Sequence, residues 1–238
     1  MVTVCVPASL QPHIAGRVPE LITRGLSEVE PFEVDAFEAA ADVAEMPQDA
    51  LLLGPGLKPG HGTTRMVQML LATDGAAAVV DAGALDALSK VPRWWARVGR
   101  PLIVTPHPGE FSRLGRESDD GDATRRHAAT EAARDWSAVV VLKGAGTVIA
   151  DPGGHVVTAP FEIPALGSAG SGDVLAGIIV SLVGQGLAPF DAAALGVYLH
   201  ARAGEDVSAD LGDAGLMATD LLPAIPRVRR ALGEARRA

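Results

Sequence analysis

Cysteine is almost missing from this chain, which holds a single thiol, Cys5, in 238 residues. One thiol excludes an internal disulfide framework and metal clusters of the zinc-finger kind. Its place in the apolar run VTVCVP reads as a buried strand position. Basic charge is also in short supply. Twenty Lys and Arg face 29 Asp and Glu, a formal net charge of −9, so a nucleic-acid partner is not expected, and no basic block precedes the C-terminal arginines. No apolar run approaches the ~20 residues that cross a bilayer, and no charged segment with an apolar core and cleavage site opens the chain. These absences point to a cytoplasmic protein with no membrane partner. Several catalytic signatures are missing too: there is no Walker A sequence, no HExxH, no G-x-S-x-G elbow and no complete G-x-G-x-x-G after a strand. P-loop NTPases, zincins, α/β-hydrolases and standard dinucleotide folds are thereby set aside.

What the chain does have is apolar bulk, 48% of its residues, enough for one substantial core and a single domain. The sequence is organised around residues 167–186, GSAGSGDVLAGIIVSLVGQG. A loop of small residues opens a helix that is apolar on every side and therefore belongs in the interior. Gly170 and Gly172 let a neighbour approach the unpaired N–H groups at its start, where the positive end of the helix dipole also lies. That combination is an anion site. Asp173 in the first turn either complements the dipole or acts as a base on a hydroxyl held against a phosphate. The alternative to that functional reading is a capped buried helix with Ser171 as the cap.

Residues 2–6 form a β-branched strand that starts almost at the first methionine. The stretch LQPHIAGRVPELIT reads as a short helix interrupted by Pro19, and VDAFEAAADVAE as an amphipathic piece. ALLLG makes an apolar strand that leaves into the loop GPGLKPGHG. AAAVVD is a second strand ending in Asp81, on the edge where open parallel sheets bind ligands. Trp94 and Trp95 are expected to pack between helices. PLIVTPHPGEF runs from a strand into a proline-stiffened loop with Thr105, His107 and Glu110. Residues 119–136 have the spacing of a surface helix, with Arg125, Arg126, Glu131 and Arg134 solvated. AVVVLKGAGTVIADPGGHVVTA gives a buried strand, a glycine turn and an antiparallel hairpin. Lys143, at the end of that strand, either snorkels or faces the phosphate side of the site. Two further helices follow, the first containing His200; the second closes on Arg227, Arg229, Arg230, Arg236 and Arg237, which suit a helix C-terminus. Strands alternating with helices predict an α/β fold with a mainly parallel sheet covered by helices on both faces.

Four strand ends thus deliver GPGL, VVDAGAL, TPHPGE and LKGAGT, and the buried helix delivers SAGSGD, so five loops converge on one sheet edge. In this order, together with the later VYLHARAG, the motifs resemble the ADP-dependent NAD(P)H-hydrate dehydratases, a branch of the ribokinase-like superfamily. The resemblance implies a three-layer ribokinase-like sandwich in one domain over residues 1–238. It also implies the reaction. The terminal phosphate of ADP or ATP is passed to the C6 hydroxyl of hydrated NADH or NADPH, and loss of phosphate restores the reduced cofactor.

By the same resemblance Asp173 deprotonates the hydroxyl, and Gly170, Ser171 and Gly172 form the anion hole. Gly56 and His107 contact the hydrated cofactor. Lys143, Gly144 and Thr147, with Gly172, flank the nucleotide, and Mg²⁺ sits on the phosphates, with Glu110 as the candidate that reaches it through water. A homo-oligomer, a tetramer by family resemblance, is expected. Lys58 stands where the family has glycine in GPGLG, and Gly83 where it has the acidic residue of DADAL. The family's first strand and its glycine-serine loop have no counterpart here, so we expect either a start upstream of Met1 or another segment or subunit in that place. Two other functions remain open: a ribokinase-like kinase of a vitamin precursor, and a truncated nucleotide-binding relative without catalysis.

Overall fold

The computed structural model describes residues 1–119 and 121–235. In chain order its elements are β1 (Val2–Pro7), α1 (Gln11–Ile14), β2 (Leu21–Leu26), β3 (Glu28–Glu30), β4 (Glu33–Val34), α2 (Ala36–Glu45), β5 (Leu51–Leu53), α3 (His61–Ala72), β6 (Ala78–Val80), α4 (Ala82–Ser89), β7 (Leu102–Val104), α5 (Pro108–Arg113), α6 (Asp122–Trp136), β8 (Val139–Leu142), β9 (Val148–Ala150), β10 (Val156–Thr158), α7 (Ser171–Gly184), α8 (Pro189–Leu211) and α9 (Ala218–Ala235). A six-stranded sheet in the order β10-β9-β8-β7-β6-β5 forms the centre. β5 to β8 run parallel, so their C-terminal ends share one edge, and β9 and β10 turn antiparallel.

The strands are apolar throughout because both faces of the sheet are covered. Alternation along them assigns each residue to a layer. Ala78, Val80, Leu102, Val104, Val140 and Leu142 pack with α2, α3, α4 and α6. Val79, Ile103, Val139 and Val141 face the opposite way, into the layer of α7, α8 and α9. The three-layer α/β sandwich expected from the sequence is therefore present. The tryptophans also sit as expected: Trp136 packs with Trp94 at 5.4 Å, Trp95 at 6.5 Å and Phe111 at 5.8 Å between ring centroids.

Several local expectations are corrected. The end of the stretch read as helical, residues 21–23, belongs instead to β2, which pairs in parallel with β1 along its whole length; the short α1 ends at Ile14, and the Pro19 region turns the chain back so that LITRGL extends beside β1. These two strands make a sheet of their own, separate from β5. Cys5 is half-buried, not enclosed, and that burial pushes its thiol pKa up. The segment after TPH is helical from Pro108, whose fixed φ and missing N–H suit the first turn. Among the described residues the last turn of α9 holds no basic side chain; Arg229 bonds Gln185 and Arg230 pairs with Glu234 one turn earlier. Arg236 and Arg237 lie outside the described residues.

Arg125 is the most consequential correction. It shares the inner face of α6 with Ala129, Ala132, Ala133 and Trp136 and is buried. Its Nη2 donates to the carbonyls of Leu142 at 3.1 Å and Lys143 at 3.2 Å, where β8 leaves the sheet and its backbone needs donors. Arg126 is not solvated either: half-buried, it donates to the Thr158 hydroxyl at 3.1 Å and the Val156 carbonyl at 3.3 Å on β10, and periodicity alone does not separate these two from the exposed Arg134.

Trp136 ties α6 to the aromatic cluster and is 1% exposed. Trp136→Ala should cost about 3–5 kcal/mol of folding stability, read as a lowered urea midpoint. A loss under about 1 kcal/mol would place the cluster outside the cooperative core.

Candidate functional site

The parallel strands deliver their loops to one edge, and close backbone packing welds those loops together. Gly54, at the end of β5, adopts φ +135°, and a side chain there would collide with the Asp81 carbonyl. The Asp81 N–H donates to the Leu53 carbonyl at 3.0 Å, and the Lys143 N–H donates to the Pro106 carbonyl at 2.9 Å. The ends of β5, β6, β7 and β8 are thus joined in sequence.

Charge gathers at the middle of this edge. Asp81 is the first residue past β6 and is only 1% exposed. Its carboxylate does not cap α4; it instead takes the Lys143 ammonium at 2.7 Å. The same ammonium lies 3.6 Å from Glu110 Oε2, and the Lys143 side chain is 17% exposed. Lysine therefore faces the site, and the snorkelling alternative is excluded. Glu110 is buried and is held by the His107 N–H at 2.8 Å, while His107 Nδ1 accepts from the N–H groups of Gly109 and Glu110. This reciprocal capping box gives His107 a structural role at the start of α5 and leaves its ring half exposed.

α7 enters from the other layer. Its N-cap is Gly170 in the left-handed region at φ +85°, not Ser171, and no side chain caps it. Ser171 is instead the first helical residue, and its hydroxyl donates to the Leu166 carbonyl at 2.5 Å. The Ser171 N–H goes to the Ser168 carbonyl at 3.3 Å, so the N–H groups of Gly172 and Asp173 are those left for a ligand. A Cβ on Gly172 would stand 3.4 Å from Lys143 Nζ and 3.9 Å from Asp81 Oδ2, so the loop lies directly against the ion pair. Burial raises the pKa of Asp173, the negative charge of Asp81 raises it further, and Lys143 opposes both. An aspartate so placed is a better proton acceptor than an exposed one.

Lys143, Gly144, Thr147, Ser171 and Gly172 line a cavity of about 430 Å³, closed on the far side by Phe161, Pro164 and Leu166 and on the α8 side by His200. The Thr147 hydroxyl braces this loop by donating to the Gly144 carbonyl at 3.0 Å. Gly56 and His107 do not touch that cavity; both are exposed on the β5 and β7 side of the same edge. A second cavity of about 480 Å³ runs along α7 towards α9 and shares only Asp173 with the charged cluster. The arrangement can hold a polyanion against the start of α7, set a cation beside it, and offer a carboxylate base on the open side.

The replacements at positions 58 and 83 have physical readings. Lys58 places its ammonium 5.6 Å from the Phe32 ring centroid. Gly83 is required by packing: a Cβ there would lie 2.3 Å from the Leu57 carbonyl oxygen. The GPGL loop rests on the start of α4 in space that a side chain would need. Sequence reasoning singled out Asp81 by its strand-end position but missed its bond to Lys143, and it placed His200 on a helix without foreseeing its position in the cavity wall; a histidine on the otherwise small and apolar inner face of α8 was the available signal.

Comparison with known proteins follows the same lines. A family model described as NAD(P)H-hydrate dehydratase matches residues 1–227. The chain is 34% identical to the ADP-dependent (S)-NAD(P)H-hydrate dehydratase of Xanthomonas campestris pv. campestris, over 93% of this chain and 75% of that protein. It is 43% identical to the bifunctional NAD(P)H-hydrate repair enzyme Nnr of Moorella thermoacetica, over 98% of this chain but 44% of that protein, so it spans less than half the length of that relative. Among solved structures, an ADP/ATP-dependent NAD(P)H-hydrate dehydratase from Bacillus subtilis, co-crystallized with ATP/Mg²⁺, superposes with a TM-score of 0.79 at 29% identity, covering 96% of this chain and 78% of that one.

Gly83→Ala should push the GPGL loop off α4 and cost about 1–3 kcal/mol. A thermal melt reads this directly, and an unchanged melting temperature would show that the loop yields freely.

Proposed function

This chain belongs to the NAD(P)H-hydrate dehydratase family, and from that premise we propose that it uses a nucleoside diphosphate or triphosphate to dehydrate hydrated NADH or NADPH. The observation that carries the reading is the Lys143–Asp81 pair lying against Gly172 and near Asp173, beside a cavity of about 430 Å³. The nucleotide occupies that cavity, with its terminal phosphate at the first turn of α7. Asp173 takes the proton of the C6 hydroxyl. The hydroxyl oxygen bonds to the terminal phosphorus as the bond from phosphorus to the rest of the nucleotide breaks, leaving AMP when the donor is ADP. The N–H groups of the loop and the Lys143 ammonium balance the charge of the transferring phosphoryl. Phosphate then leaves C6 and a proton leaves the adjacent carbon, which restores the ring double bond.

Gly56 and His107, on the open side of the edge, face the hydrated cofactor. The oxygen donors near the loop suit Mg²⁺, and among the described residues no three metal-binding side chains gather to cage an ion. These residues fit an ion held mainly by the phosphates, with Glu110 reaching it through water; there it would neutralise phosphate charge. The same reading makes residues 1–238 one cytoplasmic, homo-oligomeric ribokinase-like domain.

The direct test follows absorbance of restored NADH on mixing the protein with hydrated NADH, Mg²⁺ and ADP or ATP. A stable phosphorylated product in place of released phosphate would favour a small-molecule kinase, and nucleotide binding with no turnover a non-catalytic relative. Asp173→Asn should keep the fold and nucleotide binding and lower turnover by ~10²-fold or more; turnover within a few-fold of the parent would leave Asp173 a dipole partner only. His107→Ala should weaken binding of the hydrated cofactor more than binding of ADP. Equal weakening in separate titrations would return His107 to capping alone.

A further inference from the structure

The cavity assigned to the nucleotide has two kinds of wall. Lys143, Ser171 and Gly172 form one, at the start of α7, and Ala159, Phe161, Ile163, Pro164, Val197 and Ala201 form the other. Several of the polar side chains on its border are already committed: Lys143 to Asp81 at 2.7 Å, Thr147 to the Gly144 carbonyl at 3.0 Å and Ser171 to the Leu166 carbonyl at 2.5 Å. Among the described residues that line the cavity, Phe161 alone brings a phenyl ring. That ring meets Tyr198 of α8 edge to face, with 5.8 Å between centroids and 67° between planes, and Tyr198 stands outside the lining. An edge-to-face contact leaves each ring at least one face that the other does not cover. The main chain holds Phe161 as well. Its carbonyl accepts from the Gly146 N–H at 3.1 Å, and the Ala159 N–H donates to the Thr147 carbonyl at 2.8 Å, so the residue is tied to the loop that carries Gly144 and Thr147. Pro160 precedes it and Pro164 follows three residues later, which stiffens the segment between them.

We propose, resting on the nucleotide-dependent reading above, that Phe161 is the platform on which the base of the phosphoryl donor stacks, with Tyr198 bracing it, and that the donor is accordingly a purine nucleotide. With its terminal phosphate at the first turn of α7, the nucleotide reaches away from the charged wall, and the surface it meets is apolar with one flat ring. Stacking uses the π-face that every base has. Its strength grows with the area of the overlapping rings, so a two-ring purine gains more from Phe161 than a one-ring pyrimidine does. The edge of the base is the weaker handle, because Thr147 and Ser171 already donate their hydroxyl protons to main-chain carbonyls. Phe161 carries no charge and meets the base far from the transferring phosphoryl, so it acts on the affinity for the donor and not on the bond that breaks.

The test titrates ADP, CDP and inorganic pyrophosphate, each with Mg²⁺, into the parent, Phe161→Leu and Phe161→Tyr by calorimetry. Phe161→Leu removes the ring and keeps an apolar side chain; it should raise the Kd for ADP about 10- to 100-fold while the Kd for pyrophosphate stays within about 2-fold of the parent. Phe161→Tyr keeps the ring and should hold ADP within about 3-fold of the parental Kd. The parent should bind ADP about 5- to 10-fold more tightly than CDP, and the leucine variant should lose most of that preference. Direct contact is read by NMR, as a nuclear Overhauser effect between the Phe161 ring protons and H2 or H8 of bound adenine. Parental ADP affinity in Phe161→Leu, pyrophosphate affinity falling in step with that for ADP, equal loss in the leucine and tyrosine variants, or no preference for ADP over CDP in the parent would overturn the proposal. If the leucine variant does not fold, the Overhauser effect in the parent decides: its presence supports the platform and its absence overturns it. A parent that binds ADP without turnover would sink the dehydratase reading instead, and the same titrations would still judge Phe161.

Discussion

Lys143 and Asp81 meet at 2.7 Å where the sheet ends, and most of the site is arranged about that contact. The pair links the end of β8 to the end of β6 across the intervening β7. With Asp81 at 1% and the Lys143 side chain at 17% exposure, neither charge has enough water to stand alone. Removing one partner from such a pair typically costs about 3–5 kcal/mol. The fold supports it from below: Arg125 donates to the last carbonyls of β8, so the strand end that carries Lys143 cannot drift. Glu110, buried and held by the His107 N–H, sets a second carboxylate on the far side of the ammonium.

Two layers of the sandwich come together at this point. One supplies the charged strand ends, and the other supplies the bare N-terminus of α7. Their contact depends on having no side chain at position 172, since Lys143 Nζ already lies 3.4 Å from where a Cβ would be. Partial positive charge from the helix and full positive charge from Lys143 therefore reach the same small region, while Asp173, with its pKa raised, faces it from the helix's own first turn. A phosphoryl group would find its charge balanced there without any large rearrangement of the protein. The glycines at 54 and 83 act one step removed. They let the GPGL loop lie on the start of α4 and so hold the β5 end against Asp81.

The sequence made the layered sheet legible because its strands are fully apolar and its loops carry small, charged and proline residues in a fixed order. The central helix was legible for the same reason, its apolar character on all sides leaving it nowhere but the interior. What could not be read were contacts between residues far apart in the chain. Lys143 and Asp81 are 62 positions apart, and either could have faced solvent on pattern alone. Arg125 and Arg126 looked like the exposed Arg134, since an inward arginine in a polar helix leaves no periodic mark. The first half of β2 reads as helix because its partner β1, not its own composition, makes it a strand. Ser171 looked like a cap, but the left-handed Gly170 moved the helix start by one residue and turned the hydroxyl to Leu166.

Burial first, and then the opposed charges of Asp81 and Lys143, set the proton affinity of Asp173. The direct measurement is the titration of the Asp173 side-chain carboxyl by ¹³C NMR, in the parent and in Asp81→Asn. Burial and the Asp81 charge should hold the parental pKa above the ordinary aspartate value, and removing that charge, which also leaves Lys143 less engaged, should lower it. A parental Asp173 that titrates at or below the ordinary value, or one whose titration is unmoved by Asp81→Asn, would contradict the account.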